Sequence, residues 1–299
     1  MKMKHSIKEW LIAVRSLSFP ASAMPVLTTL CYLQWSDNAK VNWFTGVWAL
    51  INIVIFHAAG NTWSDYFDYK RGVDTTQTAG ATTLTSGMFR PKEIRTLSIS
   101  LLILALIGGI GLMLITDWSL LWYGVGGALC VLLYPYMKFR ALGDIVIAIA
   151  YAWLPCWGTS LVATGEVDVY TLLLALPLGC ITVAILHCNN TRDVHTDGNA
   201  HIRTFAMKIG HSRASVLYQF YMFFPFVCVA TCIVLGLFPY LTLLAFVALP
   251  NAWKNASLMR RCQIEDTSVI ARLDEGTAQL QLIFSLLISI SFIISSIWL

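Results

Sequence analysis

The stretch Trp43-Phe-Thr-Gly-Val-Trp-Ala-Leu-Ile-Asn-Ile-Val-Ile-Phe-His-Ala-Ala-Gly-Asn61-Thr-Trp-Ser-Asp65-Tyr-Phe-Asp68 is an apolar run long enough to cross a bilayer. It ends in an asparagine and two aspartates spaced i, i+4, i+7. A second run ends in the same way, at Asn190-Thr-Arg-Asp193-Val-His-Thr-Asp197, spaced i, i+3, i+7. On a helix either spacing places the three polar side chains on one stripe. The chain holds only 16 acidic residues in 299, so four aspartates in two such clusters stand out.

Composition sets the class around these runs. Hydrophobic residues make up 57% of the chain and charged residues 12%, against about 25% charged in a soluble domain. The mean hydropathy is +0.68. The expected class is an all-α, polytopic membrane protein forming one domain over 1–299. The basic start, Met1 to Glu9, leads into a retained helix with no small-residue cleavage site. The eight cysteines are scattered through apolar runs without a CxxC pair, and read as small core residues.

Nine apolar runs are expected to span the membrane, at about 17–34, 43–64, 96–115, 119–136, 144–163, 170–189, 215–236, 238–253 and 278–298. Threading the chain through them puts 19 of the 20 Lys and Arg on one face, Lys40 being the exception. The positive-inside rule makes that face cytoplasmic, with the N-terminus inside and the C-terminus outside. Both acidic clusters then lie at the cytoplasmic surface, in a cell (inner or plasma) membrane.

Carboxylates near a bilayer are costly and point to function. Asp65 and Asp68 facing Asp193 and Asp197 need a cation to offset their charge. No His/Cys set accompanies them, which argues against zinc. Carboxylate and amide oxygens suit a hard ion, and Mg²⁺ typically combines one or two carboxylates with water and substrate phosphate. The pairs therefore suggest a diphosphate held through Mg²⁺, with basic residues such as Lys70, Arg71, Lys138, Arg140, Arg192 and Arg203 on the remaining oxygens. Two solvated helix ends are the plainer alternative. Asp144 reads as an N-terminal helix cap, His57 and His187 as polar neighbours, and His195 either as another or as a group that orients the acceptor or moves a proton. Tyr66, Phe67, Trp153 and Trp157 are candidates to shield a cation, or ordinary packing aromatics.

These clusters resemble the two motifs of the UbiA-type intramembrane prenyltransferases. Asn61, Asp65 and Asp68, followed by Lys70-Arg-Gly-Val-Asp74, match the first, and Asn190, Asp193 and Asp197 match the second. Within that superfamily the chain is most similar to the 1,4-dihydroxy-2-naphthoate polyprenyltransferases of menaquinone biosynthesis. The stretches that carry the similarity are Trp10-Leu-Ile-Ala-Val-Arg-Ser-Leu-Ser-Phe-Pro-Ala-Ser22, Ser86-Gly-Met-Phe-Arg-Pro-Lys-Glu93, Gly158-Thr-Ser-Leu-Val-Ala-Thr-Gly-Glu166 and Gly276-Thr-Ala-Gln-Leu-Gln-Leu282. Three places depart from the branch. Ser64 stands where it usually has a second Asn, Thr82-Thr83 stand where relatives often carry a basic residue, and Tyr134-Pro-Tyr-Met-Lys138 resembles the 4-hydroxybenzoate branch.

The resemblance implies nine transmembrane helices around a central cavity. It implies transfer of an isoprenyl chain from an allylic polyprenyl diphosphate to an aromatic acceptor, by Mg²⁺-assisted ionisation and ring alkylation. Asp65, Asp68, Asp193 and Asp197 would be the catalytic carboxylates and, with Asn61, the Mg²⁺ ligands. Asn61, Asn190, Lys138, Arg192, Arg71, Asp74 and Tyr134 would bind substrate. The partners would be the two substrates and the lipid bilayer, with no nucleic acid and no obligate protein. Competing functions are the same chemistry on 4-hydroxybenzoate, a chlorophyll precursor or a glyceryl phosphate lipid, an ion-coupled secondary transporter, or a scaffold.

Overall fold

A bilayer offers no partner to backbone N–H and C=O groups, so a membrane-spanning chain must satisfy them within helices or a closed barrel, and this chain uses helices. The computed structural model describes residues 5–36, 40–73, 82–199 and 202–298, and among these there is no strand. The α-helices are α1 (Ile7–Ala13), α2 (Pro20–Ser36), α3 (Trp43–Lys70), α4 (Thr82–Thr85), α5 (Pro91–Ile115), α6 (Leu120–Met137), α7 (Gly143–Ala148), α8 (Leu154–Thr164), α9 (Leu172–Arg192), α10 (Val194–Asn199), α11 (Phe205–Ile209), α12 (His211–Val234), α13 (Leu249–Arg261) and α14 (Leu273–Ile297).

Local chemistry sets several boundaries. The Ser6 hydroxyl accepts from the Glu9 N–H at 3.3 Å while Glu9 Oε2 accepts from the Ser6 N–H at 2.6 Å, a reciprocal cap that starts α1. Asn42 Oδ1 accepts from the Phe44 and Thr45 N–H groups and starts α3. Pro91, with no N–H to lose, opens α5. Between α7 and α8 the helix widens into a π turn over Ile149–Trp153. Pro155 has no N–H to offer the Tyr151 carbonyl four residues back, which accounts for the wider turn there.

Eight helical segments are long and apolar enough to cross a membrane, counted over the described residues, and they coincide with eight of the nine expected runs. The chain is a multi-pass membrane protein. The remaining run, expected at 238–253, is built differently. It is a 3-10 helix over Tyr240–Ala248 that passes into α13. Pro250 cannot donate to the Phe246 carbonyl, and α13 carries Lys254, Arg260 and Arg261. The segment still runs the length of the bundle. Ser291 donates to the Leu241 carbonyl at 2.9 Å at one end, and His211 Nε2 donates to the Cys262 carbonyl at 2.9 Å at the other.

The helices divide into a packed half and an enclosing half. α2, α9, α12, α13 and α14 share a core in which Leu30, Leu178, Ile181, Met222, Phe284 and Phe292 are buried. α3 lies along α5, and α6 and α8 pack against α3. The outer surfaces of α5 and α6 expose Ile103, Leu104, Ile107, Leu114, Trp122 and Leu129, a band suited to lipid and not to water. The ends of α3, α6 and α9 and the starts of α5, α7, α12 and α14 gather at one end of the bundle.

Gly179 of α9 faces the π turn so closely that a Cβ there would lie 2.9 Å from Ala152 Cβ. Gly179→Ala should therefore cost about 1–3 kcal/mol by overpacking. The check is the thermal midpoint of the detergent-solubilised protein, which should fall; an unchanged midpoint would contradict this close approach.

Candidate active site

α3 continues unbroken to Lys70, so Asn61, Asp65 and Asp68 occupy one face of a single helix as their spacing predicts. That face turns inward, and Asp65 and Asp68 are buried, at 1% and 4% exposure. Burial of a carboxylate is costly unless it is paired. Arg15 supplies the partner for Asp65 through its Nη2, and Lys138 Nζ approaches Asp68 Oδ2 at 3.1 Å. Ser64 donates to the same Asp68 oxygen at 3.3 Å. Asn61 donates through Nδ2 to the Val14 carbonyl and to Ser18 Oγ, both at 3.1 Å.

The second motif is not one helical stripe. α9 ends at Arg192, Asp193 is its C-cap (φ −92°, ψ 14°), and α10 starts at Val194. The Asp197 N–H still donates to the Asp193 carbonyl at 2.8 Å, so the break reorients the chain without separating the two aspartates. The Arg192 guanidinium forks onto its neighbour, Nε and Nη2 each 2.8 Å from an Asp193 oxygen. Its Nη1 donates to the Ala271 carbonyl at 3.2 Å and lies 3.6 Å from Asp274.

The two motifs face one cavity of about 870 Å³. Asn61 and Asp68 line it from the first motif, and Asn190, Asp193 and Asp197 from the second. Tyr134, Lys138 and Arg192 also line it, and Arg15 reaches the same wall, whereas Asp65, held by Arg15, does not. Charges crowd this space. Burial pushes the Asp197 carboxyl up to about 6, with Asp193 and Asp68 adding to the rise and Lys138 opposing it. Burial also acts against the Lys138 ammonium, but Asp68, Tyr134 and Asp197 outweigh it and hold its pKa above the ordinary lysine value.

Other expected residues lie elsewhere. Arg71 donates to the Pro135 carbonyl at 3.3 Å and stacks over the Tyr136 ring at 4.8 Å, off the cavity wall. Asp74 lies outside the described residues. His195 is tied by Nε2 to the Ile264 carbonyl at 2.8 Å. Tyr66 packs on the Leu84, Phe89 and Ile94 cluster, Phe67 sits edge-on to Trp63 at 4.8 Å, and Trp153 is 42% exposed. The rings on the cavity wall are instead Tyr134 and Tyr151. Asp144 does not cap its helix: no side-chain bond caps the start of α7. It is buried against His187 and Asn190, a partnership the sequence reading missed. Arg15 was missed as a site residue too. Its signal was a lone cation inside the apolar stretch that opens the chain.

The donor set fits a hard divalent cation. No three His, Cys, Asp or Glu side chains already converge on one point among the described residues. Asp68 Oδ1, however, is buried without a hydrogen-bond partner on a side chain that lines the cavity, and so is Asn189 Oδ1. Unpartnered buried oxygens of this kind need a ligand, ion or water. An all-oxygen set of carboxylates and amides is the type that takes Mg²⁺.

Against known proteins, the sequence model of the UbiA prenyltransferase family matches residues 25–271. The chain is 32% identical over 294 residues to the UbiA prenyltransferase domain-containing protein 1 homolog of Drosophila melanogaster, covering 94% of this chain and 78% of that protein. It is 29% identical to UbiA prenyltransferase domain-containing protein 1 of Gallus gallus, covering 93% and 82%. Its fold resembles the apo structure of a UbiA homolog from Aeropyrum pernix K1, with a TM-score of 0.71 at 14% identity over 94% of this chain and 98% of that one. It also resembles a UbiA homolog from Archaeoglobus fulgidus bound to GPP and Mg²⁺, with a TM-score of 0.65 at 13% identity over 95% and 99%. The chain is a prenyltransferase, and it belongs to the UbiA prenyltransferase family.

Proposed function

We propose that the chain, acting as one catalytic domain, transfers an isoprenyl group from an allylic polyprenyl diphosphate to a hydroxylated aromatic ring, with 1,4-dihydroxy-2-naphthoate as the acceptor. The observation that carries this reading is the meeting of two acidic motifs with cations that include Lys138, Arg192 and Arg15 on one cavity at the end of an apolar bundle. The A. fulgidus homolog, whose fold this chain shares, was determined with GPP and Mg²⁺.

Asp65, Asp68, Asp193 and Asp197, with Asn61, would hold Mg²⁺. When bound, the metal supplies positive charge to the diphosphate as the allylic C–O bond breaks. Lys138 already lies 3.1 Å from Asp68 and is placed to contact phosphate oxygens beside it. Arg192 offers a fork suited to the same group. Tyr134 and Tyr151 line this cavity and would offer ring surface to positive charge on the allyl carbon.

A second, apolar cavity of about 330 Å³ adjoins the first and shares Gly60, Val131, Ala150 and Tyr151 with it. It lies among α3, α5, α6 and α8 and suits the isoprenoid tail. The basic end of the bundle faces the cytoplasm by the positive-inside rule, in an inner or plasma membrane. A transporter would place its ionisable groups near the bundle midpoint, between broken helices. Here the carboxylates cluster at one end.

Purified protein given geranylgeranyl diphosphate and 1,4-dihydroxy-2-naphthoate should release diphosphate and form a prenylated ring with Mg²⁺, and neither with EDTA. Asp65→Ala and Asp193→Ala should each lower the rate by at least about a hundredfold, the scale of several kcal/mol of lost charge stabilisation. Full activity in either variant would overturn the site. Running 4-hydroxybenzoate in parallel decides the acceptor. Gly127 lines the apolar cavity, and a Cβ there meets only the Phe56 ring, at 3.8 Å. Gly127→Leu should lower kcat/KM for long polyprenyl diphosphates more than for the geranyl one. An equal effect on both would remove this cavity from the tail path.

A further inference from the structure

Behind the second motif lies a buried polar chain with no direct place in the chemistry above. It joins α7, α9 and α12. His187 is fully buried, and its Nε2 donates to the Ala214 carbonyl at 3.0 Å. The Tyr221 ring stands edge-on to the imidazole at 5.7 Å. Nδ1 lies 3.3 Å from Asp144 Oδ2. The other Asp144 oxygen accepts from Asn190 Nδ2 at 3.4 Å. Asp144 and Asn190 are 7% and 5% exposed, so water does not compete for these bonds.

A carboxylate oxygen only accepts, so the Asn190 amide must turn its nitrogen to Asp144. Its carbonyl oxygen is then left for the cavity that Asn190 lines. The first motif shows the same arrangement from different residues, Asn61 giving its nitrogen to Val14 and Ser18. In both motifs the amide nitrogen is tied to protein acceptors.

We propose that Asp144 and His187 are positioning residues that fix the Asn190 amide with its oxygen toward the cavity, making it an oxygen donor to the bound cation or its water shell. The proposal rests on the functional reading above. Asp144 sets the flip of the amide, and His187, locked between α7 and α12, sets Asp144. Neither of them lines the cavity.

The test is the affinity of the full-length, detergent-solubilised protein for Mn²⁺, read by EPR of the free ion, with the unreactive analogue geranyl thiolodiphosphate. Outer partners of metal ligands typically contribute 10–100-fold in affinity. Asp144→Ala should weaken Mn²⁺ about tenfold or more. Asp144→Asn, whose amide oxygen still accepts from Asn190, should bind within about threefold of wild type, half a log unit or about 0.7 kcal/mol. Asn190→Ala should weaken binding as well, and the double variant Asp144→Ala/Asn190→Ala should be no weaker than Asn190→Ala alone. His187→Leu keeps Asp144 but frees it, and should give a smaller loss that also vanishes in the Asn190→Ala background; it serves if Asp144→Ala does not fold. Wild-type affinity in Asp144→Ala, or its full effect persisting without Asn190, overturns the proposal. Wild-type protein that binds no Mn²⁺ with the analogue overturns the functional reading itself, and this proposal with it.

Discussion

Everything at the motif end of this bundle follows from the need to compensate buried carboxylates. Asp65, Asp68 and Asp197 lie at 7% exposure or less beside a low-dielectric interior. Such groups are stable only with a counter-charge or hydrogen bonds. The protein provides Arg15 for Asp65, Lys138 for Asp68 and Arg192 for Asp193. These pairs tie the N-terminal segment to α3, and α3 to the end of α6. Arg192 further joins α9 to the start of α14 through Ala271 and Asp274. The electrostatics of the site and the closing of the bundle end are therefore one set of contacts.

The same pairs explain how the site can serve an anionic substrate. A cavity lined only by aspartates would repel a diphosphate. One lined by aspartates with cations beside them can exchange partners, the carboxylates turning to a divalent ion and the cations to phosphate oxygens. Asp68 Oδ1, left without a partner, is where the structure is least satisfied internally. Asp197, raised to about 6 mainly by burial, points the same way: its negative form lacks sufficient compensation from the protein alone.

Much of this was legible in the sequence, for identifiable reasons. Spans are contiguous in sequence and lipid demands apolar side chains, so eight of the expected runs appear as membrane-length helices. The first motif was legible because α3 is unbroken. The second was not fully so, because the polar spacing continues across Asp193 while the helix does not. The run near 240 looked like an ordinary span, but its prolines and cations give a 3-10 helix followed by an amphipathic one. The interactions that escaped the sequence join distant residues. Arg15 meets Asp65 across 50 positions, and Asp144 meets His187 and Asn190 across 43 and 46. No local pattern records such pairs. Arg71, expected on phosphate, instead contacts the Pro135 carbonyl and the Tyr136 ring on α6, again a pairing of distant residues.

The central claim is that the two motifs are halves of one metal–diphosphate site. Crystals of the full chain grown with Mn²⁺ and geranyl thiolodiphosphate would test it through anomalous scattering from the metal. The account predicts peaks inside the cavity between α3 and the α9–α10 junction, with oxygens of both motifs about 2.1–2.2 Å away, close to the distance expected for Mg²⁺. The diphosphate should lie beside Lys138. Metal bound by one motif alone, or at a place outside this cavity, would contradict it.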